Sequence, residues 1–314
     1  MGTFLEQLCG ISTVSGVQKA LRCQKAEHTF ADTPCGIMDQ YISAMGQANN
    51  LLLIDCRSNE ATLVPFGGSA PGTAVNSGED SPIILVTNSK VKHQLSGSEY
   101  PDRVKQCQEA VKILQSKYPN VKQLRDATQE MVENLKGDMS DVVYRRARHC
   151  VSEDMRTLAA VEALKRNDFE TVGRLMTESH YSLQMNYEVS CPELDLLVKI
   201  ANQVKGVYGS RMTGGGFGGC TVTLVKRDAA PELIHHLHEA YWKQGHLKCE
   251  TYECVPSSGA GVLPDLASAI DTVTRDETFN AALPPWIEYA EYILPVALAV
   301  SVAVGALFLF QGKK

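Results

Sequence analysis

The glycine-rich segment at residues 214–219 constrains the fold of this chain more than any other part of its sequence. A backbone without Cβ atoms can turn tightly, adopt positive φ values and let a ligand approach its peptide N–H groups closely. The run Cys220–Val225 follows directly and is rich in β-branched residues, which predicts a strand. The pattern predicts two strands joined by a glycine loop, which is either a structural hairpin or a site for an anionic ligand. The glycines are Gly214, Gly215, Gly216, Gly218 and Gly219.

Two common phosphate-binding motifs do not fit this loop. Gly214, Gly216 and Gly219 match G-x-G-x-x-G, but the dinucleotide motif requires a helix after the loop, where this sequence predicts a strand. A Walker loop requires Gly-Lys-Ser/Thr, and Gly219 is followed by Cys220. If the loop binds a ligand, we expect a nucleotide or sugar phosphate bound in some other way.

Length, charge and cysteine content exclude several classes of function. The 314 residues are enough for about two domains. The formal net charge is −6 and no continuous basic stripe occurs, so nucleic acid is not an expected partner. The basic cluster Arg145–His149 predicts a solvated helix face that makes ion pairs with Glu153 and Asp154. Ten cysteines without a secretory signal peptide indicate free thiols in a reducing compartment, and their spacing predicts no structural metal site.

Hydrophobic periodicity predicts an α+β fold. An irregular segment at 34–40 leads into a short helix, and Asp168 and Pro192 are typical of helix starts. A Gly-, Ser- and Pro-rich loop at 67–81 predicts a domain boundary. The other predicted helices cover 4–26, 101–117, 141–166, 168–185, 191–204 and 231–244, and the strands outside the glycine hairpin cover 51–56, 61–65, 82–88 and 249–255.

The sequences of two segments resemble motifs of a kinase family. The letters SRMTGGGFGGCTVTL at 210–224 resemble the C-terminal glycine motif of the galactokinase branch of the GHMP small-metabolite kinases. The letters PCGIMDQ at 34–40 resemble the segment that carries that family's catalytic aspartate. The resemblance covers roughly residues 3–264 and implies the two-domain GHMP-kinase fold. Further matching segments are LLLIDCRS, VTNSKVKHQLSGSEYP, YRRARHCVSED and YEVSCPELD.

The resemblance implies an activity and a set of site residues. It implies ATP-dependent phosphorylation of galactose at the C1 hydroxyl, with Mg²⁺, giving galactose 1-phosphate in the cytoplasm. Asp39 matches the catalytic base, and Gly36 and Tyr100 match substrate contacts. The glycine loop would face the sugar and the transferred phosphate. On the residues alone, Asp39 is more typical of a helix cap and Tyr100 of a core aromatic residue.

Part of the family pattern does not occur in these 314 residues. The missing motifs are a sugar-recognition segment with Gly-Glu-His-x-Asp-Tyr and a phosphate loop of the form GLSSSA. In the family, that phosphate loop supplies a helix N-terminus for ATP. The chain resembles a member that begins about a third of the way into the pattern. We therefore expect 1–66 to be a remnant of the N-terminal sugar- and ATP-binding domain and 82–264 to be the C-terminal kinase domain. We also expect severely reduced or no kinase activity from the chain alone.

The last fifty residues depart from the family pattern. A linker is predicted at 265–284, and 285–314 forms a hydrophobic tail in which Ile293–Phe310 is an uncharged apolar run. Such a run spans about 27 Å as a helix, which predicts a transmembrane helix that anchors the cytoplasmic part to a membrane. Three functions stay open: galactose phosphorylation, a noncatalytic sugar-binding or regulatory role, and a membrane-tethered interaction role.

Overall fold

A four-stranded antiparallel sheet organises the larger part of the described chain. The computed structural model describes residues 2–10, 14–31, 35–67, 82–91 and 99–261. The fold is α+β, as predicted. The strand order is β4-β5-β3-β6. The strands are β3 (Pro82–Asn88), β4 (Val207–Thr213), β5 (Cys220–Lys226) and β6 (Glu250–Cys254).

Helices cover both faces of this sheet. Because side chains alternate between the faces of a strand, Ile83 and Leu85 of β3 pack on one helix pair and Ile84 packs on the other. The first pair is α8 (Pro192–Ala201) and α9 (Ala230–Gly245), and the second pair is α6 (Asp141–Lys165) and α7 (Phe169–Ser182). The side chains of Asp168 and Pro192 start α7 and α8 as predicted: Asp168 accepts the Thr171 amide, and Pro192 is in the first turn.

Two glycines allow α7 and β4 to come into close contact. A Cβ atom at Gly173 would overlap the carbonyl oxygen of Tyr208, and one at Gly209 would overlap the carbonyl oxygen of Gly173. Only glycine fits such a backbone-to-backbone approach. The contact fixes the height of α7 above the sheet, next to the strand that enters the glycine loop.

The strand register brings the end of β3 beside the glycine loop. β3 pairs with β5 from Pro82↔Lys226 to Asn88↔Cys220, so Ser89 and Val91, which follow β3, lie next to Gly219 at the end of the loop. On its other side β3 pairs with β6, where Asn88 is opposite Glu250. The residues just after Asn88 are therefore placed to anchor the loop.

The N-terminal residues form a smaller unit of helices and a hairpin. It contains α1 (Gly2–Leu8), α2 (Gly16–Phe30), α3 (Met38–Met45), β1 (Asn50–Asp55) and β2 (Glu60–Pro65). The predicted single helix over 4–26 is wrong. Ser15 starts a new helix because its hydroxyl accepts the Gln18 amide while the Gln18 side chain returns to the Ser15 amide.

The remaining helices complete the layer beside α6. α4 is Glu99–Lys117 and α5 is Gln129–Asn134, which the sequence analysis did not predict. The buried side chains of α4, α5 and α6 share one cluster that includes Leu114, Val132 and Ala147. α4 also carries Arg103, whose guanidinium lies 5.9 Å from the ring centre of Phe217 in the glycine loop.

Several predictions lie wholly or mostly outside the described residues. They include the linker, the predicted span Ile293–Phe310 and most of the loop at 67–81. Within the described ranges, no helix combines the length and apolar character needed to cross a membrane. The domain boundaries and the membrane span stay predictions.

Candidate active site

The glycine loop between β4 and β5 has an unusual backbone. Four of its glycines have positive φ values, 81° at Gly214, 86° at Gly216, 137° at Gly218 and 85° at Gly219. Phe217 shares this conformation with φ 59°. Turns that combine left-handed and right-handed backbone conformations can direct successive peptide N–H groups towards a common centre and form an anion-binding nest.

The C-terminal end of the loop is anchored to the residues after β3. Both the amide and the hydroxyl of Ser89 donate to the carbonyl oxygen of Gly219, at 2.9 and 2.7 Å. The hydroxyl of Tyr241 on α9 in turn donates to the carbonyl oxygen of Ser89 at 3.0 Å. Gly218 must lack a side chain, because a Cβ atom would lie 2.7 Å from the carbonyl oxygen of Val91. These contacts fix where the loop ends.

The middle of the loop is fastened to Val189. The Phe217 amide donates to the Val189 carbonyl oxygen at 2.7 Å, and a Cβ atom at Gly216 would overlap that same oxygen. Val189 and Phe217 also pack in a cluster with Leu194 and Met212. Gly216 is therefore required for packing.

The opposite side of the loop is open with respect to the described residues. None of their atoms lies within 4 Å of a Cβ atom added at Gly214, Gly215 or Gly219. Within the ranges that the structure describes, the amides of Gly214, Gly215, Gly216 and Gly218 donate to no acceptor. Unpaired N–H groups on a bare backbone can receive the oxygens of a phosphate group.

Three arginines hold the turn that precedes Val189. Arg103 on α4 donates to the carbonyl oxygens of Tyr187 and Glu188, both at 2.7 Å. Arg145 and Arg146 on α6 bind the two carboxylate oxygens of Glu188, whose φ of 54° is left-handed. Burial acts to raise the pKa of Glu188, but the hydrogen bonds from Arg145 and Arg146 outweigh it and lower that pKa. We call these three residues the arginine clamp.

The clamp corrects the prediction for the basic cluster on α6. Arg146 is only 2% exposed, so the face is not solvated at that position. Arg145 pairs with Asp141 and Glu188 rather than with Glu153 or Asp154. The buried guanidinium is charged and paired, which is the condition under which burial of an arginine is tolerated.

A second polar group supports the strand that enters the loop. The Met212 amide donates to Nδ1 of His180 at 3.2 Å, so Nε2 of this ring carries the hydrogen that faces Asp195 at 3.3 Å. Asp195 also accepts a hydrogen bond from Ser190. Burial acts to raise the pKa of Asp195, and the bonds from His180 and Ser190 lower it. This group ties α7 and α8 to β4 beneath the loop.

Asp39 lies in the first turn of α3 and is exposed to solvent. Its interpretation as a helix cap is wrong, because Ile37 is the N-cap residue and no side chain caps the helix. In the described part of the chain, the Asp39 carboxylate has no hydrogen-bond or ion-pair partner. Buried Ile37 and Tyr41 on either side fix its place, and the Tyr41 hydroxyl donates to the Asn59 carbonyl oxygen at 2.7 Å.

The segment before Asp39 is held by α2. The side chains of Gln24 and His28 both reach the carbonyl oxygen of Cys35, at 3.2 and 2.9 Å. Gly36 follows and is exposed, and no atom of the residues described in the structure lies within 4 Å of a Cβ atom added there. The backbone beside Asp39 is therefore accessible to a ligand.

Tyr100 and Asp39 lie on separate elements, in the first turns of α4 and α3. Tyr100 is in the first turn of α4, one turn before Arg103, whose guanidinium lies 5.9 Å from the ring centre of Phe217. No hydrogen bond or ion pair between Asp39 and the glycine loop is present among the residues that the structure describes. Within the same ranges, no cluster of three His, Cys, Asp or Glu side chains could hold a metal ion.

Sequence reasoning missed the residues that support the loop. Ser89 and Val189 lie in the segments VTNSKVKHQLSGSEYP and YEVSCPELD. These segments contribute to the family resemblance but predict no contact with the loop. The partner of Arg146 is 42 residues away, beyond the reach of helical spacing rules. The family resemblance of these two segments is the sequence signal that could have identified Ser89 and Val189.

Comparison with known proteins defines the class of this site. Residues 160–244 match the family model described as GHMP kinases C terminal. The matched residues include β4, β5, the glycine loop between them, the helices α7 and α8 and most of α9, so this part of the structure is similar to the C-terminal region of GHMP kinases.

The chain is also similar in sequence to galactokinases. It is 52% identical to galactokinase of Homo sapiens over 239 residues, which cover 76% of this chain and 57% of the relative. Identity to galactokinase of Bos taurus is 49% over 261 residues, 83% of this chain and 61% of the relative. The crystal structure of Lactococcus lactis galactokinase complexed with galactose matches with a TM-score of 0.75 and 28% identity, over 83% of this chain and 64% of that one. The chain thus spans 57–61% of these two mammalian relatives.

Proposed function

We propose that this chain acts in the ATP-dependent phosphorylation of galactose at the C1 hydroxyl, giving galactose 1-phosphate and ADP. The observation that carries this proposal is the identity of about half to mammalian galactokinases over most of the chain. The open side of the glycine loop and the exposed Asp39 support it. The proposed activity is that of a phosphotransferase with an alcohol acceptor, in galactose metabolism.

The glycine loop is proposed to bind the phosphoryl group during transfer. Phosphoryl transfer needs little covalent help from a protein and depends on positioning and on compensation of charge. The amides of Gly214, Gly215, Gly216 and Gly218, which have no acceptor among the described residues, suit that task, because the loop is fixed before a ligand arrives. The anchors at Ser89 and Val189 hold the donors in place.

Asp39 is proposed to act as the general base. An exposed carboxylate without a partner among the described residues can accept the proton of the C1 hydroxyl as the oxygen attacks phosphorus. Gly36 and Tyr100 are proposed to contact the sugar.

The residues present fit an ATP phosphate group, since the open backbone of Gly214, Gly215 and Gly219 leaves the space that a side chain would fill. Mg²⁺ commonly binds through substrate phosphates with one or two carboxylates, and it compensates their charge when bound. We propose that it enters with the nucleotide. The cytoplasmic location implied by the resemblance stays a prediction.

The substrate is tested by sugar selectivity on the complete chain, purified in mild detergent because of its apolar tail. Binding of galactose, glucose and N-acetylgalactosamine is measured by titration calorimetry, and formation of sugar phosphate from ATP is measured by mass spectrometry. Galactose-selective binding with product supports the proposal. Galactose binding without product favours the noncatalytic sugar-binding role. If a folded sample shows neither galactose binding nor product, both the catalytic role and the sugar-binding role are contradicted.

A further inference from the structure

Two thiols meet where α4 packs against α6. The sulfur atoms of Cys107 on α4 and Cys150 on α6 are 3.8 Å apart, and both residues are half-buried. Ala110 and Ala147 lie fully buried in the same cluster, and these small side chains let the two helices come close. All ten cysteines of the chain are free thiols.

The surroundings of this pair favour a reactive thiolate. A hydrogen bond with Cys150 lowers the pKa of Cys107 below its ordinary value, although burial acts in the opposite direction. The guanidinium groups of Arg146 and Arg103 add to the lowering. The same hydrogen bond, together with burial, raises the pKa of Cys150 well above its ordinary value. Thiolates beside arginines are the cysteines that react with oxidants.

We propose that Cys107 and Cys150 form a reversible dithiol pair, which a hydroperoxide oxidises to a disulfide that joins α4 to α6. The geometry carries this inference: two thiols on neighbouring helices, in contact, with only about 1.8 Å to close to reach the S–S bond length.

The chemistry takes two steps. In the first, the Cys107 thiolate attacks the peroxide, an S–O bond forms as the O–O bond breaks, and the departing hydroxide takes a proton to become water. In the second, the sulfur of Cys150 attacks that of Cys107, an S–S bond forms as the S–OH bond breaks, and the Cys150 proton leaves with the hydroxide as a second water. Two thiols are oxidised to one disulfide and one hydrogen peroxide is reduced to two waters.

The test uses the complete chain treated with stoichiometric hydrogen peroxide at neutral pH. Remaining thiols are blocked with iodoacetamide, and the tryptic peptides are identified by mass spectrometry. Cys107 and Cys150 fall in different tryptic peptides, QCQEAVK and HCVSEDMR, each with one cysteine. We expect these two peptides to appear joined, two hydrogens lighter than their sum, in monomeric protein, and to separate after treatment with dithiothreitol.

Variants make the outcome decisive. Cys150→Ser should abolish the joined peptide and leave a sulfenic acid at Cys107 that dimedone traps, whereas the wild type should not be trapped. Cys9→Ser removes an exposed thiol and should leave the joined peptide unchanged. If Cys150→Ser does not fold, the wild-type peptide map decides alone. The proposal is overturned if both peptides stay blocked by iodoacetamide while exposed thiols are oxidised, or if Cys107 joins only other cysteines.

Discussion

The Val189 carbonyl oxygen accepts the Phe217 amide at 2.7 Å, and this bond fastens the glycine loop to a turn that arginines hold. The turn follows the π-helical segment Leu183–Tyr187 and contains Glu188 in a left-handed conformation. The arginine clamp binds the backbone and the carboxylate of this turn. The clamp therefore acts on the loop through Val189, although Arg145 and Arg146 make no direct contact with the loop in the described hydrogen bonds.

Arg146→Gln should loosen the loop. The substitution removes a buried guanidinium from Glu188, and we expect a loss of about 2 kcal/mol in the free energy of unfolding, less than for a fully buried pair because the Glu188 side chain is 44% exposed. Hydrogen exchange at the Phe217 amide should accelerate more than exchange within β5. Urea unfolding and hydrogen exchange measured by NMR check both.

The matched control is Arg174→Gln, which breaks an exposed pair with Glu178 on α7. We expect it to cost less than about 0.5 kcal/mol and to leave the Phe217 amide unchanged. Equal effects of Arg146→Gln and Arg174→Gln on that amide would show that the clamp does not position the loop.

Two alanine substitutions in the glycine loop, at Gly216 and Gly215, should distinguish glycines required for packing from glycines required for ligand binding. The first puts a Cβ at φ 86° onto the Val189 carbonyl oxygen and should cost about 3 kcal/mol. The second points into open space and should change stability by less than about 1 kcal/mol. Because that open side is the proposed phosphate site, Gly215→Ala should weaken ATP binding measured by calorimetry. Unchanged ATP affinity in Gly215→Ala argues against the proposed site.

Gly173→Ala should destabilise the contact between α7 and β4. An alanine normally stabilises a helix relative to glycine by about 1 kcal/mol, but here its Cβ overlaps the Tyr208 carbonyl oxygen. We expect a net loss of about 3 kcal/mol in urea unfolding. Gly137→Ala, in a turn with no atom within 4 Å of the new Cβ, is the control and should be nearly neutral. Similar midpoints for the two variants would mean that α7 can move away from β4 at little cost.

Local patterns predicted most of the fold. The alternation of apolar residues gave β3 its bounds, Pro82–Asn88, and the hairpin at the glycine loop followed from five glycines before a β-branched run. The break between α1 and α2 was also readable, since Ser15 and Gln18 have the spacing of a capping box. The helix prediction over 4–26 missed it because apolar periodicity continued across the break.

The supports of the site could not be predicted from local patterns. Helical spacing offered Arg146 only neighbours on its own helix, whereas its partner Glu188 lies beyond α7. The contact between Val189 and the loop depends on how α8 packs against β4, which no short-range rule specifies. The roles of Asp39, Gly36 and Tyr100 stay predictions that rest on the family resemblance.

The buried His149 should make stability depend on pH. Burial disfavours its charged form and lowers the pKa to about 4, whereas the ordinary value is 6.5. The unfolded chain therefore binds the proton more tightly, and stability falls as pH drops from about 6.5 to about 4, by about 3 kcal/mol. The ring is held against Tyr187, with centroids 4.4 Å apart.

His149→Gln removes this titration and should flatten the curve. The difference in unfolding free energy between wild type and variant, measured in urea from pH 7 to pH 4, cancels other groups such as Asp154, whose pKa burial raises to about 6. His235→Gln on α9 is the exposed control and should leave the wild-type slope unchanged. Parallel curves for wild type and His149→Gln would contradict the prediction.

The role of Asp39 as general base is the central claim. Its most direct test measures the formation of galactose 1-phosphate from ATP and galactose by the 314-residue chain and by its Asp39→Asn variant. The control is Asp138→Asn, at an exposed aspartate in a short turn. We predict slow, galactose-dependent product formation that Asp39→Asn reduces by at least about 100-fold, as expected for loss of a general base, and that Asp138→Asn leaves unchanged. Equal product from the wild type and Asp39→Asn would contradict the account.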